Sequence, residues 1–213
     1  MIKSSLPTIL ERLREAHPDA RYELDWETPL QLLVATILAA QCTDVRVNAV
    51  TKSLFPKYPD ARSYAEADLA VLEEDVRPTG FYKNKAKAIQ GACRVLVDRF
   101  GGEVPRTMGE LLQLPGVARK TANVVLNMAF RVPSGVIVDT HVARVARRLG
   151  LTPEEKPERI EAELMRLLPG SEWIAFGPAM VLHGRYTCIA KAPGCETCML
   201  NDLCEKVGID GTV

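Results

Sequence analysis

The run Leu114-Pro115-Gly116-Val117-Ala118-Arg119-Lys120-Thr121 constrains this chain more than any other stretch. Pro115 and Gly116 break one helical pattern, and a second begins almost at once. The spacing predicts a hairpin of two helices, one capped by Thr107 and running to Leu114, the other running from about Ala118 to Phe130. A helix that starts so abruptly offers unpaired backbone N–H groups and a partial positive charge, which suits a phosphate. Gly116, Val117, Ala118 and Arg119 are the candidate phosphate contacts. Lys120 falls in the first turn, where an amine beside a phosphate can serve as a nucleophile on DNA. On an ordinary helix the same lysine is a solvated surface charge.

Helix caps punctuate the rest of the chain as well. Thr28-Pro29 caps the uncharged run from Thr28 to Thr43, which reads as a helix buried on every side and ending near Gln41. Residues 44–55 predict another helix, stopped by Pro56. Ala86, Ile89, Cys93, Leu96, Val97 and Phe100 form one apolar stripe that ends at Gly101-Gly102. Asp139 is placed to cap a helix closed by Gly150, and two more follow at about 157–168 and 172–184. The one strand-like stretch, Gly135 to Val138, is short and leads into a helix. The fold class is therefore all-α.

Twenty-seven basic and 27 acidic residues cancel, so any nucleic-acid face must come from segregation of charge. Basic residues gather at Lys83, Lys85 and Lys87, at Arg119 and Lys120, and at Arg144, Arg147 and Arg148. Acidic residues gather at Glu73, Glu74 and Asp75 and between Glu154 and Glu163. The first residues lack a long apolar core, and the Thr28–Thr43 run is short for a membrane span and carries Gln31 and Gln41. A cytoplasmic location without membrane attachment is expected.

Four of the six cysteines, Cys188, Cys195, Cys198 and Cys204, lie close together near the C-terminus. In a cytosolic chain such density predicts metal coordination rather than disulfides. Four-cysteine zinc sites usually show two short pairs, whereas this cluster has only the Cys195–Cys198 pair. An iron–sulfur cluster also takes four cysteine ligands, and the spacing favours it over zinc without excluding zinc. Cys42 and Cys93 read as small residues on apolar helix faces.

The hairpin with its lysine, Val138-Asp139-Thr140-His141 and the cysteine spacing together resemble the endonuclease III family of DNA repair glycosylases, in the helix-hairpin-helix superfamily. The likeness extends over essentially the whole chain, including Leu38-Ala39-Ala40-Gln41-Cys42-Thr43-Asp44, Gly80-Phe81-Tyr82 and Leu182-His183-Gly184-Arg185-Tyr186-Thr187-Cys188. It implies a six-helix barrel over 22–133, with the hairpin at about 107–130. It also implies a discontinuous helical iron–sulfur domain made of 1–21 and 134–213. A [4Fe-4S] cluster on the four cysteines is implied, as is a monomeric enzyme that joins the nucleoid when bound to damaged duplex DNA.

The same resemblance implies excision of oxidised or ring-saturated pyrimidines and β-elimination at the abasic site through a lysine Schiff base. The damaged base must leave the stack first, at a cost of a few kcal/mol that damage lowers. Gln41 and Phe81 match the residues that fill the gap, Gln41 offering a donor and an acceptor to the orphaned base. Lys120 matches the nucleophile and Asp139 its partner carboxylate, which can also act as a helix cap. His141 is read as a packing or hydrogen-bonding residue near DNA. Two departures stand out. Ala118 replaces a frequent second glycine and would be strained if the turn required φ > 0. Lys191 is the single basic residue between Cys188 and Cys195, which predicts a weak phosphate grip. The competing readings are a superfamily glycosylase with another base specificity and a non-enzymatic DNA-binding or redox-sensing iron–sulfur protein. Lys120 argues against the first, whose monofunctional members typically lack the hairpin lysine, and Lys120 together with Asp139 argues against the second.

Overall fold

A computed structural model describes residues 2–209 and, among them, contains helices and no strand. The chain divides into two compact units: Glu23–Val132, and the segment up to Tyr22 together with everything from Pro133 onward.

The Glu23–Val132 unit is built on α2 (Pro29–Leu38), whose Leu32, Leu33, Val34, Ala35, Ile37 and Leu38 are all buried. Thr28 caps it by accepting the Gln31 N–H at 3.2 Å. The apolar run thus becomes the central helix, surrounded by α3 (Asp44–Lys57), α6 (Tyr82–Phe100) and α8 (Arg119–Ala129). It stops at Leu38 rather than near Gln41, because the chain turns left-handed at Gln41, φ +52°.

Helix α3 runs through Pro56 instead of stopping before it. In the last turn proline removes one N–H, and its would-be acceptor, the Lys52 carbonyl, belongs to an exposed residue that water can satisfy. Two short helices unmarked by long periodicity, α4 (Ala61–Ala65) and α5 (Leu69–Val76), pack against α6. Asp60 and Asp68 cap them, the first in a reciprocal capping box with Ser63. From α6, Gln90 and Arg94 donate to the Ala67 and Ala65 carbonyls just beyond α4 and at its end. A single turn, Arg77–Thr79, leads into α6, and α7 (Met108–Leu111) precedes α8.

In the other unit α1 (Ile2–Ala16) packs on α11 (Trp173–Tyr186), and α11 packs on α9 (Thr140–Leu149). With α10 (Pro157–Leu167) they enclose Ile9, Leu13, Val142, Val145, Ile160, Leu164, Phe176 and Met180. The strand-like run Gly135–Val138 joins no ladder; Val136 and Val138 fill this core instead. Arg12 of α1 reaches the cysteine segment, donating to the Met199 carbonyl at 2.7 Å and to Asp202 at 2.5 Å.

Candidate functional site

The hairpin turn is fixed by apolar anchors and one left-handed residue. Leu111, Leu114 and Val117 are buried, and Val117 N–H donates to the Leu114 carbonyl at 3.1 Å. Gly116 has φ +76°, and a Cβ there would stand 2.6 Å from Ala88 Cβ on α6. Only glycine meets both demands. Ala118 is extended instead, φ −89° and ψ 171°, so the strain anticipated for a non-glycine residue there does not arise. α8 then begins with no side-chain cap and no acid in its first turn. Its N-terminal N–H groups and the exposed Arg119 and Lys120 make a positive end open to an anion.

Gln41 and Phe81 lie in the same unit, each at the end of a tight turn and each left-handed, φ +52° and +49°. Both are exposed; Phe81, at 63 %, is no core residue. Non-glycine residues in this conformation cost about 1–3 kcal/mol and persist where surroundings enforce them, often at functional sites.

In the other unit, Asp139 is half-buried at the start of α9. Its Oδ1 accepts the His141 and Val142 N–H groups, each at 2.8 Å, while Oδ2 takes no hydrogen bond from the described residues. The carboxylate is oriented by one oxygen with the other available. His141 packs closely: its Nδ1 lies 3.3 Å from the Arg144 guanidinium, and a Cβ on Gly184 would approach its Cβ to 2.9 Å. Lys191 is exposed.

The four cysteines line one cavity together with Arg148, His183 and Asn201. Three donors aim at sulfur: Arg148 Nη1 at Cys188 Sγ (3.3 Å), Leu200 N–H at Cys198 Sγ (3.4 Å) and Lys206 N–H at Cys204 Sγ (3.4 Å). Such donors favour thiolate sulfur. Burial outweighs them in the protein without a metal and pushes the Cys198 and Cys204 thiols up. His183 Nε2 stands 3.7 Å from Cys198 Sγ, and burial, aided by His17, lowers its pKa to about 4.

Sequence reading missed the buried polar residues. Arg148 is 8 % exposed and spends its guanidinium on Cys188 and on the Ile189 and Ala190 carbonyls, both at 2.8 Å. Arg144 donates to the Gly184 and Cys188 carbonyls, and Arg147 pairs with Glu155 at 3.1 Å. Arg144 and Arg148 therefore organise the cysteine segment rather than forming a free phosphate-facing surface. Lys85 is buried too. The i, i+4 spacing of Arg144 and Arg148 after a capped helix start was the one available signal. Cys42 sits half-buried in the turn after α2, not on a helix face, whereas Cys93 is a core thiol on α6.

The profile of the HhH-GPD superfamily base excision DNA repair proteins matches residues 34–170. Endonuclease III of Synechocystis sp. is 54% identical over 202 residues, 95% of this chain and 92% of its own length. The chain belongs to the endonuclease III family. Its fold matches a non-covalent endonuclease III–DNA complex with TM-score 0.91 and 45% identity, covering 96% of this chain and 95% of that one. A trapped endonuclease III–DNA covalent intermediate matches with the same TM-score and identity, covering 96% of both chains. This family member is a base excision repair enzyme, a DNA glycosylase and abasic-site lyase. No described helix is long and apolar enough to cross a membrane.

Proposed function

We propose that this enzyme acts on duplex DNA bearing oxidised or ring-saturated pyrimidines, with Lys120 as nucleophile and Asp139 as its partner carboxylate. The observation that carries the proposal is the exposed Lys120 in the first turn of a helix whose N-terminus has neither a side-chain cap nor an acid. Backbone N–H groups there hold a phosphate and bring the amine to the adjoining sugar.

The neutral Lys120 Nζ attacks C1′, and the N-glycosidic bond breaks with its electron pair leaving on the base, which takes up a proton. Asp139, through the oxygen that does not cap α9, stabilises positive charge developing at C1′. The alkylated amine loses one proton, its lone pair forms the C1′=N bond as the C1′–O4′ bond opens and O4′ takes up a proton, and the product is a protonated Schiff base. Loss of a C2′ proton then expels the 3′ phosphate oxygen, cutting the strand on the 3′ side, and water releases Lys120 from the imine. Gln41 and Phe81 fill the gap left by the extruded nucleotide. His141 and the exposed Lys191 lie at the DNA surface, and Gly116 to Arg119 contact phosphate.

A [4Fe-4S] group is assigned to the four cysteines because all four line one cavity, and two N–H donors and a guanidinium reach the Cys188, Cys198 and Cys204 sulfurs. When bound, such a group crosslinks the C-terminal segment. The enzyme works as a monomer in the cytoplasm, at the nucleoid when engaged on DNA.

Borohydride reduction tests the chemistry, because it captures a Schiff base as a stable protein–DNA adduct. Lys120→Ala should lower adduct yield at least about a thousandfold while binding to an uncleavable abasic analogue persists. Wild-type yield from that variant refutes the nucleophile assignment. Asp139→Asn keeps shape and capping but removes charge, and should slow base excision by about a hundredfold or more. Near-normal turnover would leave Asp139 only a cap.

A further inference from the structure

Lys85 is a charged residue that the chemistry above does not use. It lies in the first turn of α6 and is only 5 % exposed. Its Nζ donates to two backbone carbonyls, Leu38 at 2.8 Å and Thr79 at 2.8 Å. Leu38 is the last residue of α2, and Gln41 follows three positions later. Thr79 ends the single turn before Phe81. One ammonium, on a side chain 47 positions beyond Leu38, thus ties the stem of the Gln41 turn to the stem of the Phe81 turn.

Both turns carry a non-glycine residue in the left-handed region, and neither Thr43 nor Phe81 makes a side-chain cap hydrogen bond to the helix that follows. The Cys42 N–H donates to Ala39 and the Asn84 and Lys85 N–H groups donate to Phe81, which closes each turn locally. α3, which follows the Gln41 turn, packs on the Arg77–Thr79 turn, and the Lys85 side chain adds hydrogen bonds to the stems of both turns. Burial lowers its pKa from the ordinary lysine value, with a smaller opposing contribution from Cys42. A buried ammonium is costly, and two carbonyls 2.8 Å away are the partners that offset the cost.

We propose that Lys85 is a positioning residue for lesion recognition, a latch that holds Gln41 and Phe81 in register as one gap-filling pair. The inference rests on the reading of Gln41 and Phe81 as the residues that enter the gap. A gap of one nucleotide must be filled from both turns together, so a fixed spacing between them lowers the ordering cost of insertion. Lys85 itself touches neither base nor sugar and acts only through the two carbonyls.

The test uses full-length enzyme and a duplex carrying an uncleavable abasic analogue opposite 2-aminopurine, whose fluorescence rises when it is unstacked. Lys85→Met keeps the buried stem and removes both hydrogen bonds. It should lower the affinity for this duplex about tenfold, with loss of the fluorescence rise, as expected for losing hydrogen bonds to a charged group. The same substitution in a Gln41→Ala/Phe81→Ala background should change affinity by less than about twofold, because the pair it positions is absent. An equal loss in both backgrounds would show a general structural role and overturn the latch. Unchanged affinity and fluorescence in folded Lys85→Met would also overturn it. If Gln41→Ala and Phe81→Ala themselves leave the fluorescence unaltered, the gap-filling reading fails instead. Should Lys85→Met unfold, Lys85→Gln retains one donor group and should give an intermediate loss that scales with duplex binding, not with melting temperature.

Discussion

The turn at Leu114–Ala118 and the segment at Cys188–Cys204 are both short, irregular and chemically specialised, but opposite forces hold them. The turn is pinned by hydrocarbon: Leu111, Leu114 and Val117 are buried, and Gly116 sits against Ala88 with no room for a methyl group. Its polar groups, the N–H donors that open α8, are left outward. The cysteine segment buries little beyond Leu200, and its backbone is gathered by Arg12, Arg144 and Arg148 donating to carbonyls. Packing gives a rigid cradle before DNA arrives. Hydrogen bonding from long cationic side chains gives a frame that, on the proposed cluster assignment, is completed by iron.

Substitutions in the two regions should therefore differ in size and kind. Cys198→Ala should have the largest effect: iron and visible absorbance are lost, and the melting temperature falls by roughly 10 °C, several kcal/mol for a chain this size. Limited proteolysis should then cut between residues 187 and 209 and spare the hairpin. A variant that melts like wild type would mean the arginines alone suffice.

Gly116→Ala should cost about 2–4 kcal/mol in urea unfolding, from the left-handed backbone and the Ala88 clash together. Ala118→Gly, at an extended position, should stay within about 1 kcal/mol of wild type. Equal effects at the two sites would remove the claim that Gly116 is pinned by packing.

The smallest effect is in thiol reactivity. Burial pushes the Cys93 thiol up to about 12, so at pH 8 only about one molecule in ten thousand carries its thiolate. Alkylation at that pH should spare Cys93 in the folded chain. In Cys198→Ala the remaining cluster cysteines should react while Cys93 stays protected. Equal labelling of Cys93 and the cluster cysteines would show that losing the cluster loosens the whole molecule.

Much of the fold was legible because caps and apolar periods are local signals. Thr28, Thr107, Asp139 and Gly150 each end or start a helix where their chemistry predicts. What failed was non-local. Whether a lysine or arginine faces water depends on which carbonyls the tertiary fold brings to it, so Lys85 and Arg148 looked like surface charges. Pro56 looked like a stop, but proline in a last turn forfeits one exposed hydrogen bond only. The concern over Ala118 assumed that the left-handed residue of the turn lay there, whereas Gly116 takes that role. Helices α4 and α5 were too short to show a period and are recognisable only through Asp60 and Asp68.

The proposed chemistry depends on one amine at the start of α8. Wild-type enzyme, incubated with a duplex containing a single abasic site and reduced with borohydride, can be digested and the DNA-bearing peptide sequenced by mass spectrometry. The adduct is predicted on Lys120 alone. An adduct on the N-terminal amine or on Lys191, with Lys120 unmodified, would contradict it.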